Sequence, residues 1–359
     1  MAKVLMKGNE AMALAAIKGG CDAFFGYPIT PQNEIPEYLS YHMEQNGRVF
    51  VQAESEVAAI NMVYGAAGSG ARVLTSSSSP GIALKQEGIS YMAGSELPAV
   101  IINVMRGGPG LGGIQPSQGD YNQITRGGGN GDYKLLTFAP ETLQETVNVV
   151  KASFALADYY RNPVMIAVDG LIGQMMEPVD LDQPIEEKPM KEKTWAATGE
   201  AEKRGHRNKI VSLHLDPYEL EKHNLRLKAK YDEMKATEQR YELINMENNP
   251  EIVFVAYGSM ARIARSAIEA LKQEGIEVGM IRPIVIAPFP EKAFDDLPGS
   301  VKTLLTLEMA LGQMLQDVQI VNQGRYILDF YGRAGGVVPE TEEIVEKVKA
   351  VLKEAGHAN

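Results

Sequence analysis

The strongest constraint on the fold is the regular alternation of short apolar segments with helix-like segments through the first half of the chain. The apolar segments lie at 22–27, 48–51, 72–76, 99–104 and 164–168. The helix-like segments lie near 9–19, 33–45, 55–69, 81–95 and 141–160. Apolar strands separated by helices are typical of a mostly parallel sheet that is covered on both faces. Ligands of such sheets bind at the loops that follow the carboxyl ends of the strands.

The alternation stops near residue 178 and resumes at 251, so we predict three regions. Residues 1–178 form one α/β domain, residues 179–250 form a polar linker with a long helix, and residues 251–359 form a second α/β domain. Both domains are predicted to be doubly wound, with mostly parallel sheets.

The long helix of the linker is predicted from its start signal, because Asp216 and Pro217 are a capping residue and a first-turn proline. We expect the helix to reach about residue 246. One apolar stripe runs along it at sevenfold spacing, formed by Leu220, Leu227, Met234 and Tyr241. The stripe packs either on the chain's own domain or along another surface, and the sequence leaves both open.

Composition excludes several classes of function. The net charge of −11 argues against a nucleic-acid surface. Apolar runs such as 97–105 are far shorter than the roughly 20 residues of a membrane span. Charged residues Glu10 and Lys18 interrupt the apolar N-terminal stretch, so we expect a mature start and a cytoplasmic location. With one cysteine, Cys21, and no metal-ligand spacing among the histidines, any redox metal must belong to another chain.

Three stretches place polar groups after predicted strands. The turn GYPITP at 26–31 is stiffened by its prolines and holds Thr30, but it also fits a plain rigid connection. The serine loop TSSSSPG at 75–81 opens a helix, where hydroxyl and N–H groups bind a polar ligand or simply cap the helix. The glycine-rich loop 106–133 begins with Arg106, which binds a carboxylate or pairs with a surface acid.

A fourth candidate is Glu56, at the start of the third helix-like segment. The residues that follow it at helical spacing are all apolar: Ala59, Ile60, Val63 and Ala67. A carboxylate on an apolar helix face costs several kcal/mol unless it is paired. The alternative is an exposed first turn. Glu54 is a weaker candidate, because Asn61 lies seven residues after it.

These residues resemble the alpha-type subunit of a 2-oxoacid:ferredoxin oxidoreductase. The resemblance is carried by the motifs GYPITP, QAESEVAAINMVYGAAGSGARVLTSSSSPGI, LPAVIINVMRGGPGLGG and GGGNGDY. It covers almost the whole chain and is weakest in 185–250. It is closest to the subtype that acts on 3-methyl-2-oxobutanoate, with the 2-oxoglutarate subtype as a near neighbour. It implies the pyrimidine-binding domain of thiamine diphosphate enzymes followed by a transketolase C-terminal-like domain.

The resemblance also implies the roles of the site residues. Glu56 would hydrogen-bond N1′ of the aminopyrimidine ring, Thr30 would touch substrate or cofactor, and Arg106 would bind the substrate carboxylate. These three are the predicted catalytic residues. The predicted cofactor-binding residues are Glu56, Tyr27, Pro28, Ile29, Thr30, Ser77 and Ser78, and no metal ligand is predicted in this chain.

The implied reaction is the oxidative decarboxylation of a 2-oxoacid to acyl-CoA and CO2, with electrons passing through iron–sulfur clusters to ferredoxin. Thiamine enzymes hold diphosphate and Mg²⁺ with a Gly-Asp-Gly motif and a later Asn. Here Val168 precedes Asp169, and no Asn lies at the expected spacing. The resemblance therefore implies three partners: a diphosphate-binding beta-type subunit that carries Mg²⁺, a gamma-type subunit and a ferredoxin-like iron–sulfur subunit.

Two other functions remain open at this point. One is the pyrimidine-binding chain of a lipoamide-linked 2-oxoacid dehydrogenase, which the GYPITP turn and the glycine-rich loop disfavour. The other is a scaffold subunit without catalysis, which the joint presence of Thr30, Glu56 and Arg106 disfavours.

Overall fold

The computed structural model describes residues 3–357, whose strands form three sheets. The strands are β1 (Val4–Lys7), β2 (Ala23–Gly26), β3 (Val49–Gln52), β4 (Val73–Ser77), β5 (Ala99–Met105), β6 (Leu136–Phe138), β7 (Pro163–Asp169), β8 (Met176–Val179), β9 (Tyr241–Ile244), β10 (Ile252–Val255), β11 (Val278–Pro283), β12 (Val285–Ala287), β13 (Thr303–Glu308) and β14 (Ile327–Gly332). The helices are α1 (Gly8–Lys18), α2 (Glu34–Gln45), α3 (Glu56–Gly68), α4 (Ser79–Gly94), α5 (Tyr121–Thr125), α6 (Leu143–Tyr160), α7 (Gly170–Gln174), α8 (Ala201–Arg204), α9 (Pro217–Thr237), α10 (Gly258–Gln273), α11 (Leu315–Asn322) and α12 (Thr341–His357).

The first sheet has seven strands in the order β12-β6-β7-β5-β4-β2-β3. All neighbouring pairs are parallel except β12, which joins β6 antiparallel at one edge. The five predicted strands are confirmed as β2, β3, β4, β5 and β7. Strands β5 and β7 are buried at every position, which explains why their sequences are almost entirely apolar.

The second sheet has five strands in the order β14-β13-β10-β11-β9, with only β9 antiparallel to its neighbour. Two strands belong to a different sheet from the one that we predicted from their position in the sequence. Strand β9, from the predicted linker, forms an edge of the second sheet, and β12, from the predicted last domain, forms an edge of the first. The fold class is confirmed, while the domain limits at 178 and 250 stay predictions.

The long linker helix starts where its signal predicted and ends earlier. The Asp216 side chain accepts hydrogen bonds from the backbone N–H groups of residues 218 and 219, at 2.8 and 3.1 Å. The expected end near 246 is wrong, because the helix stops at Thr237 and Tyr241 pairs with β11 instead. Leu227 and Met234 are buried in the core that they share with the first sheet, so this part of the stripe packs on the chain itself, while Leu220 is exposed.

The two main sheets share one apolar core. Val253, Val255, Ile281 and Leu304, on one face of the second sheet, belong to the same buried cluster as the core of the first sheet. Asp169 also joins the two parts: it accepts from Leu171 N at 3.0 Å and from Ser259 Oγ at 2.7 Å, at the starts of α7 and α10. The carboxyl ends of the first sheet therefore face the second domain.

Three findings bear on the expectations from composition. Within residues 3–357, no helix combines the length and the apolar character needed to cross a membrane. In the same part of the chain, His, Cys and acidic side chains form no group of three that could hold a metal ion. Cys21 is a free, buried thiol, and burial raises its pKa to about 12.

Candidate functional site

Glu56 is buried at the first position of α3. Ser55 caps the helix, with its side chain accepting a hydrogen bond from Ala58 N at 3.2 Å, and this fixes the first turn. The Glu56 residue is only 6% exposed, while its competitor Glu54 is exposed. The predicted burial is therefore confirmed, and the alternative of an exposed first turn is wrong.

Gly81 of α4 leaves room for two of the predicted side chains. A Cβ atom at this glycine would lie 2.0 Å from Ser77 Oγ and 2.6 Å from Glu56 Oε1. The hydroxyls of Ser77 and Ser78 are buried, and neither has a hydrogen-bond partner among the described residues. Buried polar atoms without partners are rare and costly, so these hydroxyls indicate a place for a further polar group.

Lys85 is a charged residue of this site that the sequence analysis did not single out. It is fully buried, and its Nζ donates hydrogen bonds to Thr75 Oγ1 at 2.7 Å and to Ser76 O at 3.0 Å. Burial lowers its pKa to about 7, with the charge of Glu56 opposing the shift. Lys85 shares the buried stripe of α4 with Ile82, Ile89 and Met92. The spacing argument that identified Glu56 would have found it.

Arg106 connects two of the predicted loops. Its terminal nitrogens donate to Thr30 O at 2.8 Å and to Leu111 O at 3.0 Å, and its backbone N–H donates to Ser79 Oγ at 3.0 Å. The residue is 6% exposed. Each terminal nitrogen carries a second N–H, so a carboxylate can still bind there. The binding of a substrate carboxylate by Arg106 stays a prediction.

The turn at 26–31 lies at the carboxyl edge of the first sheet. Tyr27, Pro28 and Thr30 are exposed and Ile29 is half-buried. Gln32, which the sequence analysis also missed, ties this turn to β4: its Nε2 donates to the carbonyl of Tyr27 at 3.2 Å, and Ser76 Oγ donates to its Oε1 at 2.5 Å.

A cavity of about 550 Å³ opens beside the end of the serine loop. Ser79 and Asp120 line it from the first domain, and Met309, Leu311 and Gly335 line it from the second. None of the described residues that line it is a lysine or an arginine. Burial raises the pKa of Asp120, although hydrogen bonds from neighbouring side chains and a nearby arginine oppose the shift.

The predicted residues thus fall into two groups. Glu56 and Ser77 are buried together beside Gly81, whereas Thr30, which is exposed, is joined to the buried Arg106. No hydrogen bond or ion pair between described residues joins Glu56 directly to Thr30 or Arg106, and the serine loop connects the two groups.

Asp169 is the candidate for a diphosphate-binding acid in this chain, and its geometry disfavours that role. It is 1% exposed, and its two oxygens accept hydrogen bonds at the starts of two helices. A carboxylate that is buried and already accepts four hydrogen bonds is poorly placed to bind a metal ion.

Two family models together match most of the chain. Residues 14–253 match the model for pyruvate flavodoxin/ferredoxin oxidoreductase, thiamine diphosphate-binding. Residues 250–344 match the model for pyruvate:ferredoxin oxidoreductase core domain II.

Curated relatives agree with these matches. The ketoisovalerate oxidoreductase subunit VorB of Methanothermobacter thermautotrophicus is 47% identical over 98% of both chains. The 2-oxoglutarate synthase subunit KorA of Methanothermobacter marburgensis is 32% identical, over 96% of this chain and 97% of its own length.

Solved structures share the fold. The 2-oxoglutarate:ferredoxin oxidoreductase from Magnetococcus marinus, with 2-oxoglutarate, coenzyme A and succinyl-CoA bound, matches with a TM-score of 0.87 and 25% identity. This match covers 97% of this chain and 65% of that chain. A split-gene transketolase, an inactive beta4 tetramer, matches with a TM-score of 0.60 over 97% of this chain and 98% of its own, at 14% identity, which shows the fold alone. The resemblance drawn from the motifs is confirmed, and the chain belongs to the family of 2-oxoacid:ferredoxin oxidoreductase subunits.

Proposed function

We propose that this chain is the pyrimidine-binding subunit of a thiamine diphosphate-dependent 2-oxoacid:ferredoxin oxidoreductase. The burial of Glu56 at the start of α3 carries the proposal. A hydrated carboxylate would bind water, whereas a buried one is available to share a proton with a ring nitrogen.

The residues around Glu56 fit the aminopyrimidine end of the cofactor. Ser77 and Ser78 present buried hydroxyls that have no hydrogen-bond partner among the described residues, and the missing side chain of Gly81 keeps the approach to Glu56 open. When bound, thiamine diphosphate supplies the carbanion chemistry that a 2-oxoacid needs in order to lose CO2. Glu56 would hold a proton at N1′ of the ring, and the turn at 27–30 would exclude water from one side.

The other end of the cofactor would belong to a partner subunit. Asp169 is occupied by helix N–H groups and Ser259, so a diphosphate-binding subunit would supply the Mg²⁺ site. The chain has one cysteine and cannot hold a cysteine-ligated cluster by itself, so an iron–sulfur subunit and a gamma-type subunit would pass the electrons to ferredoxin. Coenzyme A would accept the acyl group, as a substrate of the assembled enzyme.

The proposed substrate is 3-methyl-2-oxobutanoate, with 2-oxoglutarate as the second candidate. The 47% identity to a ketoisovalerate oxidoreductase subunit, against 32% to a 2-oxoglutarate synthase subunit, supports this order.

The proposal is tested by purifying the chain with its natural partner subunits and measuring ferredoxin reduction. Values of kcat/KM for 3-methyl-2-oxobutanoate, 2-oxoglutarate, pyruvate and indolepyruvate rank the substrates. The branched-chain acid is expected to rank first. Reduction of lipoamide in place of ferredoxin, or absence of turnover with all four acids, would contradict the proposal.

A substitution at Glu56 tests the site itself. Glu56→Gln keeps the shape and removes the acid, so thiamine diphosphate binding should change little while turnover falls by about 10² to 10⁴, as for the loss of an acid–base group. Glu54→Gln is the matched control, because this exposed carboxylate lies two residues earlier and should leave turnover unchanged. Parent-like decarboxylation by Glu56→Gln would refute the assignment.

A further inference from the structure

A second cavity, of about 510 Å³, lies at the edge of the first sheet opposite to the candidate site. Glu96 and Arg161 line it, and they come directly before the parallel strands β5 and β7, so the cavity lies at the amino ends of these strands. The polar linker and α9 form the rest of its wall, and it is referred to below as the linker cavity. The proposed function gives it no role.

The wall that the linker contributes is fastened in place. Asn208 Nδ2 donates to Thr194 O at 2.5 Å and to Ala196 O at 2.9 Å, and these two bonds close the linker into a loop. Lys193 Nζ lies 2.7 Å from a carboxylate oxygen of Asp158 on α6, and this ion pair ties the loop to the first domain. The linker cavity therefore has a fixed wall, although its sequence is polar and irregular.

Cations outnumber acids in the linker cavity, although the whole chain carries a net charge of −11. Its cations are Arg161, Lys209 and Arg226, and its acid is Glu96. The carboxylate of Glu96 is already paired, with Arg226 at 2.8 Å and with Lys230 at 3.5 Å. Within residues 3–357, no ion pair joins Arg161 or Lys209 to an acid, and Arg161 Nε donates to a neutral acceptor, Glu96 O, at 3.1 Å.

Trp195 holds the guanidinium of Arg161 at this cavity. The Arg161 Cζ atom lies 4.7 Å from the centre of the indole ring, which is a cation–π contact. A guanidinium that lies over a ring keeps its N–H groups for an anion, which it can bind through two parallel hydrogen bonds. Burial lowers the pKa of Arg161, so its charge costs free energy here, and a bound anion would offset that cost.

Two histidines complete the polar part of the wall. The Nε2 of His223 is 2.7 Å from the carbonyl of Gly94, which can only accept, so Nδ1 accepts from Arg226 at 2.8 Å and the ring is neutral. Burial lowers the pKa of His223, which agrees with this assignment. The ring of His214 stacks on His223 at 4.8 Å, and its buried Nε2 has no hydrogen-bond partner among the described residues. The wall thus has polar groups that the chain itself leaves unsatisfied.

We propose that the linker cavity binds a small molecule that carries phosphate groups, with Arg161 and Lys209 as its charged contacts. Two cations without an acid require more than one negative charge, and a phosphate group carries about −1.5 to −2 at pH 7, whereas one carboxylate carries less. The volume of about 510 Å³ lies within the range of small-molecule sites. Ile210 and Val211, which also line the cavity, would contact an uncharged part of the ligand.

The chain carries its own reporter for the test, because Trp195 is its single tryptophan. The full chain is titrated with inorganic pyrophosphate at constant ionic strength, and binding is followed by tryptophan fluorescence and by calorimetry. We expect saturation at a single site per chain. Arg161→Met and Lys209→Met should each weaken the binding at least tenfold, because each removes a charge-assisted contact. The absence of saturable binding, or parent-like affinity in both variants, would overturn the inference.

Lys272→Met on α10 is the matched control, since Lys272 is as exposed as Lys209 and forms no ion pair in the described part of the chain. It should bind pyrophosphate like the parent, and a loss equal to that of Lys209→Met would overturn the inference. If Arg161→Met does not fold, Lys209→Met decides, because the side chain of Lys209 is exposed.

Malonate, a dicarboxylate, distinguishes the class of anion. It should bind at least tenfold more weakly than pyrophosphate, and equal affinity would overturn the assignment to phosphate compounds. The titration involves neither turnover nor thiamine diphosphate, so its outcome is independent of the proposed function.

Discussion

Arg282 makes the clearest prediction about what holds the two parts of the chain together. It lies on β11, is 2% exposed, and donates from both terminal nitrogens to the carboxylate of Glu145 on α6, at 2.9 Å each. Its Nε donates to Glu242 on β9 at 3.0 Å. A bidentate arginine–carboxylate pair is geometrically strong, and here it joins the second sheet to a helix of the first domain.

Replacing Arg282 by Met removes the cation from Glu145 and Glu242, and also from Glu141, which lies 3.5 Å from its Nε but keeps its pair with Arg265. Loss of one member of a buried ion pair costs about 3–5 kcal/mol. The lower end applies here, because Glu145 and Glu242 have side-chain exposures of 21% and 45% and keep part of their hydration. We therefore expect a loss of about 3 kcal/mol in the free energy of unfolding, or a fall of roughly 6 °C in Tm at about 2 °C per kcal/mol.

Urea unfolding at pH 7, followed by circular dichroism, measures this loss. Lys302→Met is the control, since its pair with Glu251 is more than half exposed on both sides and should contribute at most about 1 kcal/mol. In the background of Arg282→Met, Glu145→Leu should recover much of the loss, because no buried acid then lacks a partner. An Arg282→Met effect no larger than that of Lys302→Met would refute the reasoning.

Three further predictions concern the site and the acid limit of stability. Gly81→Ala should weaken thiamine diphosphate binding at least tenfold in a titration of the assembled enzyme, because the new Cβ would lie 2.0 Å from Ser77 Oγ. Gly65→Ala is the control and should leave the binding unchanged, because the space around Gly65 is open. Arg106→Ala should mainly raise KM for the 2-oxoacid in steady-state kinetics, since it removes a contact made from binding onward. Burial opposes the ionisation of Glu242, but its arginine partners hold its pKa below 4.5. The contribution of this carboxylate to stability is therefore present above pH 4.5 and is lost at lower pH. Urea midpoints at pH 5 and pH 3 should show this loss in the parent and less of it in Glu242→Gln.

The parts of the fold that the sequence predicted correctly depend on local patterns. The strands β5 and β7 are mostly apolar runs of seven residues, and their burial on both faces makes the pattern strong. The start of α9 was predictable because an Asp cap and a first-turn proline act within one turn. Glu56 was identifiable because the residues that follow it at helical spacing are all apolar.

The parts that could not be predicted depend on pairing between distant segments. Strand β12 has three residues and pairs with β6, so that Val285 lies opposite Phe138, far away in the sequence. Strand β9 is half-exposed and follows a charged helix, so nothing local marks it as the edge of a sheet. Arg106 is held by the carbonyls of Thr30 and Leu111. A backbone carbonyl has no sequence signature, so these partners could be found only from the structure.

Burying an acid at the start of α3 has a cost that the helix itself offsets only in part. Burying the Glu56 carboxylate costs several kcal/mol, and the dipole at the start of α3 offsets about 0.3–1 kcal/mol of it, or up to about 2 in partly buried sites. Lys85 on α4 is fully buried as well, and its Nζ donates to Thr75 Oγ1 and Ser76 O, neither of which carries a negative charge. Among the described residues, the buried hydroxyls of Ser77 and Ser78 have no hydrogen-bond partner. A ligand that brings a proton-sharing nitrogen and an amino group would satisfy these groups at once, which favours cofactor binding at this position over a purely structural role for Glu56.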